Sequence, residues 1–125
     1  MTPRRVLLID DDFSIRLVAQ ACLERAGWEV STAASGPEGM VMAETEQPEV
    51  ILLDVMMPGM DGPATLTRLQ CNARTRGIPV VLLTATLPTS DEPPWKGLPV
   101  AGVLPKPFDP ALLPAQITSM LGGVP

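Results

Sequence analysis

Four stretches of the chain are apolar with little interruption: Val6 to Ile9, Val50 to Leu53, Val80 to Leu83 and Val100 to Leu104. Runs this short, bounded by polar residues and prolines, predict strands buried on both faces, as in a parallel sheet. The first of them is taken from Arg5. Between them the period changes. Ile15, Val18, Ala19, Cys22, Leu23 and Ala26 recur at helical spacing, which predicts a helix from Ser14 to Ala26. Trp28 to Ala33 alternates and predicts another strand, after which Ser35 and Pro37 signal a helix running to about Glu46, diluted by Gly36 and Gly39. A third helix is expected from about Pro63 to Asn72, with Leu66 and Leu69 facing in. A last one is expected to start at a capping Asp109 with Pro110 and to reach Leu121, with Pro114 bending it or delaying its regular start.

This alternation of strand and helix implies an α/β architecture with an open, parallel, doubly wound sheet, because parallel neighbours need crossovers. One crossover breaks the rhythm. Between Leu87 and Pro99 stand Pro88, Pro93, Pro94 and Pro99, and an interior proline costs a helix about 3 kcal/mol, so at most one or two turns are expected. The stretch also carries Trp95, expected to pack into the gap left by the shortened helix or to anchor a partner, since aromatics are favoured in both roles.

Length and composition narrow the picture. The 125 residues suit a single domain with one core, taken as residues 1–125 with the folded part at about 5–121. Hydrophobic content is 46 %, yet no apolar run approaches the roughly 18 residues of a membrane span. The basic start, Arg4 and Arg5, is followed by too short an apolar stretch for a secretory signal, so the cytoplasm is the expected compartment and no membrane partner is expected. Cys22 and Cys71 are too few for a disulfide framework, and the absence of histidine excludes a Cys/His zinc site. A net charge of −5 opposes the attraction that drives non-specific nucleic-acid binding, so this chain alone is not expected to bind DNA.

The polar residues at the strand ends carry the chemistry. Asp10, Asp11 and Asp12 follow the first strand, Asp54 the third, Thr84 the fourth and Lys106 the fifth. In a doubly wound sheet these ends share one edge, where ligands bind. Clustered carboxylate oxygens make a hard site for Mg²⁺ or Mn²⁺, Lys106 is a point charge suited to phosphoryl oxygens, and Thr84 offers a hydroxyl. One carboxylate is then free to attack an in-line phosphoryl group. Asp54, alone on the central strand, is the better nucleophile.

Four segments in order resemble the receiver domain of two-component response regulators: Ile-Asp-Asp-Asp at 9 to 12, Leu-Leu-Asp-Val-Met-Met-Pro-Gly-Met-Asp-Gly at 52 to 62, Leu-Leu-Thr-Ala at 82 to 85, and Leu-Pro-Lys-Pro-Phe at 104 to 108. The resemblance covers Arg5 to Leu121. It implies a flavodoxin-like, five-stranded sheet of order 2-1-3-4-5 and phosphorylation of Asp54 by a histidine kinase, a histidine phosphotransfer protein or a small phosphodonor. By the same resemblance Asp11, Asp54 and the Met56 carbonyl hold Mg²⁺ directly, Asp10 acts through water, Lys106 contacts the phosphoryl group and Thr84 reports its arrival. It further implies a cis bond before Pro107. Met56 and Thr86 flank the site and are expected to tune hydrolysis.

The expected role is conformational signalling in a phosphorelay to an unidentified downstream protein. The chain would be a monomer or weak dimer, and not an enzyme beyond its own phosphorylation and dephosphorylation. No output domain is expected in this chain, which would be either a stand-alone regulator or a fragment. Two features depart from the family. Val103 occupies the position of the switch aromatic, and the crossover of the output face is the proline-rich stretch just described. Two other readings stand beside this one: a degenerate receiver acting only as a binding module, and a small haloacid-dehalogenase-type phosphatase, whose Asp-x-Asp-x-Thr loop is resembled by Asp10-x-Asp12-x-Ser14.

Overall fold

The computed structural model describes residues 4–85 and 92–122. Its elements run β1 (Arg5–Ile9), α1 (Phe13–Arg25), β2 (Glu29–Ala33), α2 (Gly36–Glu46), β3 (Val50–Asp54), α3 (Gly62–Gln70), β4 (Val80–Thr84), β5 (Gly102–Pro105) and α4 (Leu113–Met120). All five strands are parallel, in the order β2-β1-β3-β4-β5. This is the flavodoxin-like doubly wound sheet, and the strand order reverses between the paired β1 and β3.

Because side chains alternate across a strand, each apolar run feeds two cores. Leu7, Ile9, Ile51, Leu53, Val80 and Leu82 point to one face and pack with Ala43 of α2 and with Leu66 and Leu69 of α3. Val6, Leu8, Val50, Leu52, Val81 and Leu83 point to the other, against Ala19 and Leu23 of α1 and Leu113 and Ile117 of α4. A strand covered on both sides gains nothing from polar alternation, which is why these runs are continuous. The glycines that weaken α2 have a packing reason. A Cβ at Gly39 would collide with the Ile9 side chain, so the residue that costs helix propensity lets α2 sit close on β1.

Most boundaries fall within a residue or two of the sequence expectation, α3 ending at Gln70 rather than Asn72, and the starts of β5 and α4 differ for identifiable reasons. The β5 ladder begins at Gly102, two residues later than expected, with Ala101 only touching the edge through its N–H to the Val80 carbonyl at 2.8 Å. The start of α4 is displaced as well. Asp109 caps a preceding turn, its Oδ1 accepting from the Ala111 N–H at 2.9 Å, and regular helix begins only at Leu113. Pro114 then falls in the first turn, where its missing N–H is harmless, and the helix start is delayed as expected.

Of the proline-rich crossover, residues 92–99 form a turn around Pro94 to Gly97 and no helix, and residues 87–91 lie outside the described residues. Trp95 is buried and belongs to the core cluster on the face of the sheet covered by α2 and α3, as expected for a core residue.

Candidate functional site

At the C-terminal edge of the sheet, β1 and β3 each deliver a carboxylate to one place. Asp10 follows β1 and is fully buried. Its N–H donates to the Ala33 carbonyl at 3.1 Å, Oδ1 accepts from the Asp12 N–H at 2.9 Å, and Oδ2 accepts from Lys106 Nζ at 2.8 Å. Asp54 ends β3 and is 4 % exposed. Its Oδ1 accepts from the Met56 N–H at 3.2 Å and lies 3.2 Å from the same Lys106 Nζ. Asp11 is exposed at the rim. One oxygen from each of Asp10, Asp11 and Asp54 falls within a sphere where no two are more than 4.8 Å apart.

Lys106 arrives from β5 because the register brings Pro105 beside Thr84, and the Lys106 N–H donates to the Thr84 carbonyl at 2.7 Å. The Lys106–Pro107 bond is cis. Thr84 is buried at the end of β4. The strand ends thus bring together Asp10, Asp11, Asp54, Thr84 and Lys106. Met56, 73 % exposed, stands beside them with its backbone on Asp54; Thr86 lies outside the described residues. Val103 is half-buried on β5 and packs against the same core cluster as Trp95.

Electrostatics follow from this crowding. Burial, then the negative charge of Asp10, push the Asp54 carboxyl from 3.8 up to about 6, against the opposing pull of Lys106 and the Met56 N–H. For Lys106 burial alone would lower the ammonium, but the hydrogen bond and charge of Asp10, followed by those of Asp54, outweigh it and raise it. The ammonium therefore stays charged between two buried acids. With one cation against three carboxylates the cluster carries excess negative charge. Three hard oxygens and a surplus of charge fit a divalent ion such as Mg²⁺, which takes few protein carboxylates and keeps open positions for phosphate oxygens.

The geometry separates the two carboxylates as nucleophiles. Both oxygens of Asp10 are engaged by donors in a fully buried position, and Asp12 is the N-cap of α1, its Oδ1 accepting from the Ser14 and Ile15 N–H groups at 2.8 and 3.2 Å. Neither acid of the Asp10-x-Asp12 pair therefore has both side-chain oxygens free of donors. On Asp54 both donors approach Oδ1, and Oδ2 has no donor among the described residues.

Two further contributors have roles that the sequence alone does not explain. Gly62 opens α3 with its N–H on the Val55 carbonyl at 2.9 Å, and a Cβ there would stand 2.5 Å from the Asp54 carbonyl oxygen, so only glycine lets the loop after β3 close behind the acid. Arg16 of α1 donates from a guanidinium nitrogen to the Asp10 carbonyl at 2.7 Å.

Comparison with known proteins agrees with this geometry. Residues 6–118 match the family model described as the response regulator receiver domain. Over 117 residues the chain is 41 % identical to the response regulator PleD of Caulobacter vibrioides, covering 93 % of this chain and 26 % of that protein. It is 35 % identical over 118 residues to the alkaline phosphatase synthesis transcriptional regulatory protein PhoP of Bacillus subtilis, covering 94 % of this chain and 48 % of that one. The chain thus spans between about a quarter and a half of these curated relatives. Among solved structures, the chemotaxis response regulator CheY4 of Vibrio cholerae superposes with a TM-score of 0.88 at 32 % identity, covering 95 % of this chain and 99 % of that one. A CheY-like receiver domain protein of Methanospirillum hungatei gives a TM-score of 0.79 at 32 % identity, with 94 % of each chain covered.

Proposed function

The chain belongs to the response regulator receiver domain family, and on that premise we propose that Asp54 accepts a phosphoryl group in a Mg²⁺-dependent reaction and passes the signal on by a change of conformation. The observation that carries this reading is the single Lys106 ammonium held at 2.8 Å from Asp10 and 3.2 Å from Asp54, beside three carboxylates that share one small space. In the reaction Oδ2 of Asp54 attacks phosphorus in line. A new oxygen–phosphorus bond forms, the bond from phosphorus to the donor breaks, and the leaving group keeps that electron pair and takes up a proton from solvent. For a phosphohistidine donor the broken bond is phosphorus–nitrogen. The donor is a histidine kinase or a histidine phosphotransfer protein, and a small acyl phosphate serves in its place.

The residues divide the work. Asp10, Asp11, Asp54 and the Met56 carbonyl hold Mg²⁺, which when bound neutralises charge on the transferring oxygens. Lys106 swings from its carboxylate partners to an equatorial phosphoryl oxygen, and the Thr84 hydroxyl donates to another. Asp54 is the group that must be ionised. With its carboxyl at about 6 in the metal-free protein it is mostly carboxylate at neutral pH and loses reactivity below that. Met56, exposed next to the acid, governs how readily water reaches the acyl phosphate, and Thr86 is assigned the same role from its place in the sequence.

Residues 5–121 act as one receiver unit in this reading. An apolar cavity of about 400 Å³, lined by Ile15, Val18, Lys106, Pro107 and Phe108, together with the exposed Phe13 and Leu17, supports docking of a phosphodonor protein beside the site. Among the described residues no helix is long and apolar enough to cross a membrane.

The test is to add Mg²⁺ with acetyl phosphate or beryllium fluoride and follow backbone amide shifts. Wild type should shift around residues 54, 84 and 106, and Asp54→Asn should not. An unresponsive wild type would overturn the reading in favour of a receiver that only binds, and an equal response in Asp54→Asn would overturn the choice of residue.

A further inference from the structure

The three carboxylates of the site are not held equally. Asp10 is gripped at its N–H and at both side-chain oxygens, and Asp54 at Oδ1 by two donors. No hydrogen bond or ion pair holds the Asp11 side chain among the described residues, although it is the one exposed acid of the cluster. With its side chain unheld, where the Asp11 carboxylate can reach depends on its backbone, and so on the plane of the peptide joining residues 10 and 11.

One side chain grips that peptide. Arg16, one turn into α1, donates to the Asp10 carbonyl at 2.7 Å, a short, charge-assisted bond. The guanidinium is itself steadied from outside, its central carbon lying 5.7 Å from the centroid of the Phe13 ring, within reach of a cation–π contact. The bond spans six residues and is not part of the helix or of its cap, which Asp12 supplies without help.

We propose that Arg16 is a positioning residue for the divalent cation: by fixing the peptide between Asp10 and Asp11 it aims the Asp11 carboxylate into the space shared with Asp10 and Asp54. This rests on the reading of the acid cluster as a cation site. Arg16 touches neither the cation nor the phosphoryl group. Its effect passes through the backbone, as outer partners act on metal ligands generally, where their loss costs about ten- to hundredfold in affinity.

The test measures Mn²⁺ binding to the full chain by the loss of the free-ion paramagnetic resonance signal, with the metal-free unfolding midpoint recorded alongside. Arg16→Gln should raise the Mn²⁺ dissociation constant about tenfold or more. Arg16→Lys, which keeps a charged donor, should recover part of the loss, and would still be informative if the Gln variant did not fold. Asp11→Asn separates the two layers of the argument. If Asp11→Asn weakens Mn²⁺ binding while Arg16→Gln leaves it unchanged, Arg16 is a structural tether and the proposal falls alone. If Asp11→Asn also binds Mn²⁺ like the wild type, the cation reading of the cluster falls with it.

Discussion

The chemical edge of the sheet and the crossover leading to β5 lie a few residues apart in the fold and are built on opposite principles. At the edge, the converging strand-end groups are polar and most are held by named bonds: Asp10 by four partners, Asp54 by two donors, Lys106 by two acids and the Thr84 carbonyl. In the crossover, the Trp95 side chain is held by burial in the apolar core, and Val103 on β5, at the position where the resemblance implies an aromatic, packs against the same cluster. Directional bonds fix a geometry that chemistry needs to within a fraction of an ångström. Apolar packing fixes volume and tolerates rearrangement of shape. On the proposed reading the residues of the phosphorylation site follow the family pattern, whereas Val103 and the proline-rich crossover depart from it.

That contrast can be broken most severely at Lys106. Lys106→Met leaves two buried acids with no ammonium between them, and removing one partner of a buried ion pair costs about 3–5 kcal/mol. Phosphorylation-dependent amide shifts should also be lost. Urea unfolding with and without Mg²⁺ checks the cause: the cation should restore much of the lost stability, because it supplies the missing charge.

A comparable stability loss with the opposite functional consequence is expected at Trp95. Trp95→Ala opens a cavity over the sheet and should cost about 3–5 kcal/mol. The rate of phosphorylation from acetyl phosphate, measured below the lowered unfolding midpoint, should stay within about threefold of wild type, since a factor of three is under 1 kcal/mol of barrier. A collapse of that rate would show that the crossover supports the chemical edge after all.

The smallest effect is electrostatic. Asp54 holds its proton more tightly folded than unfolded, so its contribution to metal-free stability falls as pH rises from about 4 to about 6. Above that it stays as a cost of about 1–2 kcal/mol once solvent screening at the open edge is allowed for. Asp54→Asn lacks the cost. The variant's advantage over wild type in metal-free urea unfolding should therefore grow across that window and level off above it, and an advantage independent of pH would contradict the assignment.

The chemical edge is legible in the sequence for a physical reason. Strands buried on both faces are continuous apolar runs, so their ends are sharp, and the apolar pattern alone places the polar residue at each end, Asp10, Asp54 and Thr84. The same sharpness fails at β5, where Ala101 and Gly102 blur the start, and at α4, where a turn capped by Asp109 imitates a helix start until Pro114 is accommodated. Arg16 is invisible in the sequence because a side chain bonding to a backbone carbonyl six residues away leaves no pattern in residue types. Gly62 belongs to the segment at 52 to 62 that resembles the family, but its reason, the nearness of the Asp54 carbonyl, exists only in three dimensions. Residue type leaves Trp95 between core and partner, and burial assigns it to the core.

The central claim is that the chemistry resides on Asp54 and that Asp10 serves it. Phosphorylating the intact chain with acetyl phosphate and Mg²⁺, converting the acyl phosphate with hydroxylamine and mapping the modified peptide locates the acceptor directly. The modification is predicted on Asp54, in the peptide spanning β3 and the loop that follows. Its appearance on Asp10, Asp11 or Asp12 instead would contradict the account.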